Sequence, residues 1–188
     1  LEAHLGDPDV VVIEVSIDPP EKAGYRTGHV PGSHFVYWKD LLWHATDREF
    51  ATPDVLADRL AALGVGESTT VALVGDPFQF ATYAYWVMTM AGLEDLARVV
   101  DGGRRTWLAE QRPLSADVPV PAPASLAARP ADPGSRIGRD ELRASLGDGA
   151  TAKVAGDIAK LGSNMLQVRP GQGFRGPGGV RSDEKPFD

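Results

Sequence analysis

The chain has 188 residues, of which 43% are hydrophobic and 24% charged, values typical of a globular protein that buries a core. It contains no cysteine, which excludes a disulfide framework, a thiolate metal site and a thiol nucleophile within this chain. The formal net charge of −7 argues against nucleic-acid and anionic-membrane partners, and no apolar run approaches the roughly 20 residues that span a bilayer, so we expect a cytoplasmic protein.

Short apolar runs rich in β-branched residues alternate with helical patterns over the first part of the chain. The run Val-Val-Val-Ile-Glu-Val at 10–15 is apolar almost throughout, which is typical of a strand buried on both faces of a parallel sheet. Apolar residues at helical spacing precede Gly64 and predict a helix that Thr52 or Asp54 can cap. In chain order we predict strands at 10–15, 33–38, 69–74 and 96–100, and helices at 55–63, 81–90 and 104–110.

This alternation of strands and helices predicts the fold class. Strands separated by helices form an α/β fold with a parallel sheet and right-handed crossovers. Ligands of such folds bind at the carboxyl ends of the strands, and the loop after Val74 is one such place.

The composition changes after Pro113, where proline and alanine dominate as far as Pro133. Such a stretch is typical of an extended linker with polyproline character. An amphipathic helix is predicted to start near Ser135 and to run through Leu142 and Leu146, and a weak repeat of the pattern at 12–28 recurs at 165–176. We therefore divide the chain into a domain at 1–115, a linker at 116–134, and the incomplete or diverged start of a second copy at 135–188.

Motifs for cofactors and metals are missing from the sequence. The four histidines show no His-x-x-x-His spacing, so we predict no metal site. Asp101-Gly102-Gly103 lacks the GxGxxG pattern of a dinucleotide site, and the pair Arg104-Arg105 is too small for a nucleic-acid site. We predict no cofactor.

Three segments in order resemble the rhodanese family. The turn Gly-His-Val-Pro-Gly-Ser at 28–33 is similar to its first signature, and Val-Asp-Gly-Gly-Arg-Arg-Thr-Trp at 100–107 to its closing signature. Between them, the strand at 71–76 and the helix segment at 81–86 resemble the strand, active-site loop and helix of the family. The resemblance covers about residues 7–115 and implies a three-layer fold with a central parallel sheet flanked by helices.

The chain is most similar to the N-terminal, non-catalytic domain of two-domain thiosulfate and 3-mercaptopyruvate sulfurtransferases. The resemblance implies a catalytic rhodanese domain as the partner, in the same or another polypeptide, and leaves homo-oligomerisation open. The helix segment Tyr-Ala-Tyr-Trp at 83–86 carries this closer likeness. Whether this chain is itself an enzyme is left open, because the family transfers sulfur but the nucleophile is absent.

The catalytic cysteine of the family opens a loop directly after the central strand, and the matching residue here is Gly75. The loop continues through Asp76, Pro77, Phe78, Gln79 and Phe80 to Ala81, the length of the six-residue loop in the family. It carries a carboxylate and no cation, and Pro77 offers no N–H. By this resemblance the backbone cradle of the family is vestigial here, and the loop is not suited to an anion such as thiosulfate.

Two residues keep more than one interpretation. Asp76 is a candidate nucleophile or general base, with His29 or His34 as its partner, or it caps the following helix or its loop, which we favour. His29 is a candidate proton carrier, or its imidazole bonds to the backbone and locks the Gly-His turn, which we favour. A third alternative is a binding module whose loop holds an anion or a peptide carboxylate without reacting.

Overall fold

A computed structural model describes residues 1–147 of the chain. The chain divides into two compact units, Leu1–Ile137 and Gly138–Asp188. No helix in the described residues is both long and apolar enough to cross a membrane.

Four parallel strands form the centre of the first unit: β1 (Val10–Ser16), β2 (His34–Tyr37), β3 (Thr70–Asp76) and β4 (Ala97–Val99). Their order in the sheet is β2-β1-β3-β4, and every neighbouring pair is parallel. Ser16 pairs with Asp76, so β1 and β3 end side by side at one edge. We call this edge the carboxyl edge.

Helices cover both faces of the sheet: α1 (Trp38–Leu42), α2 (Pro53–Ala62), α3 (Gln79–Met90) and α4 (Gly103–Ala109). Ile13 and Leu73 pack into a core with residues of α1, α2 and α3, and Val12 and Val74 pack with Trp107 of α4 on the opposite face. Successive strand residues point to opposite faces of the sheet. Because helices cover both faces, consecutive residues such as Val12 and Ile13 are both apolar. The predicted three-layer α/β fold with a parallel sheet is confirmed.

Two predicted element boundaries are wrong next to the carboxyl edge. Trp38 begins α1 rather than ending a strand, and α3 begins at Gln79 rather than Ala81. Phe78 is the N-cap residue of α3 and already has helical angles, with φ −45° and ψ −40°. The loop between β3 and α3 is therefore only residues 77 and 78.

The segment predicted as a linker has an extended backbone, as expected, but it packs against the first unit. We call residues 113–136 the strap. Ser115 exchanges two backbone hydrogen bonds with His29, and the Ala124 N–H donates to the Ala61 carbonyl at 2.9 Å. Leu126 is buried in the same core as α2 and α3. The strap therefore belongs to the first compact unit, and the division into domains stays a prediction.

In the second unit, residues 139–147 are helical. The predicted helix near Ser135 thus exists but starts four residues later, because Pro133–Ser135 forms a 3-10 turn in which Asp132 accepts a hydrogen bond from the Gly134 N–H. The predicted strand at 166–168 and the tail lie outside the described residues.

Candidate functional site at the carboxyl edge of the sheet

Gly75 lies at the end of β3, where the neighbouring backbone leaves no room for a side chain. A Cβ atom built on Gly75 would lie 2.5 Å from the Phe78 carbonyl oxygen and 2.8 Å from the Ala81 nitrogen, closer than the 3.0 Å below which such contacts do not occur. A Cβ on Gly103 would in turn lie 2.5 Å from the Gly75 carbonyl oxygen. The loop, β3 and the start of α4 are therefore packed backbone against backbone.

Two backbone N–H groups of the first turn of α3 are engaged within the chain. The Phe80 N–H donates to the Pro77 carbonyl and the Ala81 N–H to the Phe78 carbonyl, each at 3.0 Å. Pro77 follows a cis peptide bond and has no N–H to offer. Residues 79–81 of the segment that the resemblance matches to the family's loop therefore belong to α3.

Arg104 of α4 contacts β1, the turn at 24–28 and the end of β3. Its Nη1 donates to Glu14 Oε2 at 3.1 Å, and its Nη2 donates to the carbonyls of Gly24, at 3.1 Å, and Gly28. Its Nε lies 3.4 Å from Asp76 Oδ2. The guanidinium and the Glu14 side chain are 9% and 3% exposed, so this ion pair is almost fully removed from water.

Glu14 also fixes the Gly-His turn. Its Oε1 accepts hydrogen bonds from the Val30 N–H at 2.6 Å and from the Ser33 hydroxyl at 3.0 Å. The one acidic residue of an otherwise apolar strand therefore holds a turn that follows it by 16 residues. Because a buried carboxylate without a partner is costly, this set of contacts explains why a charge is kept inside the sheet.

In the described residues Asp76 lies beside Arg104 rather than beside a histidine, and its catalytic role stays a prediction. The nearest charged group is Arg104, and no hydrogen bond or ion pair joins Asp76 to His29 or His34. The helix-cap interpretation is wrong, because Phe78 is the N-cap residue of α3 and no side chain caps it. The carboxylate is 42% exposed and neutralises the outer side of Arg104.

His29 is fully buried, and both ring nitrogens face backbone oxygens. Nδ1 lies 2.9 Å from the Tyr25 carbonyl, and Nε2 lies 3.0 Å from the Asp117 carbonyl of the strap. The Tyr25 ring stacks on the imidazole with centroids 3.8 Å apart, and burial raises the pKa of this tyrosine. The structure thus agrees with the favoured interpretation of His29 as the residue that locks the turn, and it adds that His29 also anchors the strap.

His34 lies apart from this network, on edge strand β2. Burial lowers the pKa of its imidazole below the ordinary value. Within residues 1–147, no three His, Asp or Glu side chains are grouped so that they could hold a metal ion. No buried side-chain nitrogen or oxygen in that range lacks a hydrogen-bond partner.

Sequence reasoning missed the two central residues of this edge. Glu14 was treated only as part of a strand, and Arg104 only as half of a small basic pair. A signal for Glu14 was present, because a carboxylate inside a run of five apolar residues at 10–15 needs a buried partner. Nothing local identifies Arg104 as that partner, since the two residues are 90 positions apart.

Residues 1–110 match the family model described as the rhodanese-like domain. The chain is 35% identical over 143 residues to the sulfur carrier protein TtuD of Thermus thermophilus, which covers 76% of this chain and 49% of TtuD. It is 34% identical over 147 residues to a Mycolicibacterium smegmatis protein named as a thiosulfate sulfurtransferase, covering 78% of this chain and 52% of that protein. The chain thus spans about half the length of the curated relatives it matches.

Solved structures agree on the fold. The 3-mercaptopyruvate sulfurtransferase SseA of Escherichia coli superposes with a TM-score of 0.64 at 19% identity, covering 78% of this chain and 59% of SseA. Wild-type EanB superposes with a TM-score of 0.59 at 27% identity, covering 73% of this chain and 35% of EanB.

Proposed function

The chain belongs to the rhodanese-like domain family, and we propose that it is a non-catalytic member that supports a catalytic rhodanese domain of a thiosulfate or 3-mercaptopyruvate sulfurtransferase. The proposal depends on the position and the surroundings of Gly75. By resemblance it matches the family's catalytic cysteine, and its surroundings exclude even a Cβ atom. The loop therefore lacks both the nucleophile and the space for one.

Sulfur transfer by this family passes through a persulfide on a thiolate. The sulfur of that intermediate is bonded to a cysteine, and this chain has none. Two further observations support a structural role for this segment: the N–H groups of Phe80 and Ala81 donate to neighbouring carbonyls, and Arg104 contacts Glu14, Asp76 and two backbone oxygens. A donor anion would find no free backbone donor at Phe80 or Ala81 and would meet the Asp76 carboxylate.

Neither alternative function gains support from these contacts. The alternative pairs Asp76 with a histidine as acid and base, and His29 is instead held by the carbonyls of Tyr25 and Asp117. An anion-binding module needs unpaired backbone donors, and two of the donors in the segment 75–81, those of Phe80 and Ala81, are paired within the chain. A rhodanese-like domain that packs against its catalytic neighbour requires neither.

Sulfur transfer by the purified chain tests the proposal. We expect no thiocyanate from thiosulfate and cyanide and no transfer from 3-mercaptopyruvate, with the full-length Mycolicibacterium smegmatis relative assayed in parallel. Turnover by the cysteine-free chain would refute the proposal and would make Asp76 the first residue to substitute.

A further inference from the structure

Six aromatic side chains of α1, α3 and the loop between α1 and α2 contact one another at the surface of the first unit, five of them partly buried and one exposed. Neighbouring ring centroids lie between 5.3 and 6.4 Å apart, mostly in tilted or edge-on contacts. We call this set the aromatic surface; its members are Trp38, Trp43, Phe50, Phe80, Tyr83 and Trp86.

The helix α3 carries apolar side chains that are not fully buried against the sheet, in addition to those that are. Ala84 and Val87 are buried in the core, whereas Tyr83 is only partly buried and Trp86 is 36% exposed. Tyrosine and tryptophan concentrate at the centres of protein interfaces, where a large rigid ring is buried with little loss of side-chain entropy. A second face of this kind on α3 indicates contact with another protein surface.

Charged groups surround the aromatic surface in the arrangement of an interface rim. The Lys39 ammonium lies 5.5 Å from the centre of the Trp38 ring. The Arg136 guanidinium lies 5.0 Å from the centre of the Phe50 ring and pairs with both carboxylate oxygens of Glu49. An apolar centre with a polar, hydrated rim is the usual anatomy of a protein interface.

The strap ends at this same surface. The Trp86 Nε1 donates to the Ser135 carbonyl at 3.0 Å, Arg136 stacks on Phe50, and the compact unit ends at Ile137. A domain joined to the chain after Ile137 would start at the rim of the aromatic surface, at an effective concentration of about 1 mM for a short tether. The curated relatives are about twice as long as the part of them that this chain matches, which is room for such a domain.

From these observations we propose that the aromatic surface is the docking surface for a catalytic rhodanese-like domain. The inference rests on the proposed function, because it takes the supported catalytic domain as the partner. Phe80 contacts Trp38 and Tyr83 of the aromatic surface, and its N–H donates to the Pro77 carbonyl of the loop at the carboxyl edge. A domain docked on the aromatic surface would therefore lie next to the carboxyl edge.

The full 188-residue chain is titrated with the half of the Mycolicibacterium smegmatis relative that this chain does not match, produced separately and checked for folding by circular dichroism. Binding is followed by calorimetry, and the thiocyanate formed by that half is measured with and without the chain. We expect binding to the wild-type chain and at least tenfold weaker binding to Trp86→Glu. Tyr83→Glu, which keeps the Trp86 bond to Ser135, should weaken binding similarly.

Leu108→Glu is the matched control, because Leu108 is 44% exposed on α4, away from the aromatic surface, and its substitution should leave binding unchanged. The assignment of the docking surface would be overturned if the wild-type chain did not bind the catalytic half at about 1 mM. It would also be overturned if all three variants bound that half equally. Self-association of the wild-type chain that Trp86→Glu abolishes would also overturn it in favour of a second copy. Binding that depends on Trp86 without any change in thiocyanate formation would keep the docking surface and refute the supporting role.

Discussion

Adding a single methyl group at Gly75 tests whether the loop is a packed structural element. In Gly75→Ala the new Cβ would lie 2.5 Å from the Phe78 carbonyl oxygen, 2.8 Å from its carbonyl carbon and 2.8 Å from the Ala81 nitrogen. All three atoms are backbone, so no side chain can rotate away and the first turn of α3 must shift. Overpacking of this kind costs about 1–3 kcal/mol, and about 2 kcal/mol lowers the thermal midpoint by about 4–8 °C in a chain of this size.

Thermal unfolding by circular dichroism measures the effect. Gly66→Ala is the control, because a Cβ at Gly66 meets nothing closer than 3.6 Å. If Gly75→Ala lowers the midpoint no more than Gly66→Ala does, the loop has room for a side chain and the reasoning is refuted. Gly75→Cys extends the test, since the same steric conflict should leave the added thiol unable to form thiocyanate from thiosulfate and cyanide.

Three further substitutions test the packing around the site. Arg104→Met leaves the buried Glu14 carboxylate without its cation and should lower the free energy of unfolding by about 3–5 kcal/mol in urea denaturation; a loss below about 1 kcal/mol would contradict the buried pair. Burial lowers the pKa of His34 in the folded state, so the unfolded chain binds the proton more readily and stability should fall as the pH drops below about 6.5. Thermal midpoints between about pH 5 and 8 should show that fall in the wild type and a smaller one in His34→Gln. Leu126→Ala should cost about 2–5 kcal/mol in urea denaturation, whereas a cost near zero would mean that the strap is not part of the core.

The order of strands and helices follows from local patterns. The β-branched run at 10–15 became β1, Val10–Ser16, and the apolar pattern before Gly64 became α2. Each of these elements is specified by residues close together in sequence, because burial on two faces or on one helical face leaves a regular apolar pattern. The family motifs, which are also local, predicted the three-layer arrangement.

Boundaries near the site were predicted less well. Trp38 begins a helix that the sequence pattern did not predict, and Gln79 begins α3 two residues earlier than predicted. At Trp38 an aromatic residue follows a strand of similar composition, so the change from strand to helix has no local signal. At Gln79 the helix begins two residues after Pro77 because the loop between β3 and α3 is only residues 77 and 78.

The sequence alone determined the sheet, three of the four helices that cover it, the family and the absence of a thiol nucleophile. Only the tertiary structure decided that Glu14 pairs with Arg104 and that the strap packs against His29. The physical reason is distance along the chain. Apolar periodicity is repeated within each element, whereas contacts between residues 88 and 90 positions apart exist only after the segments have been brought together.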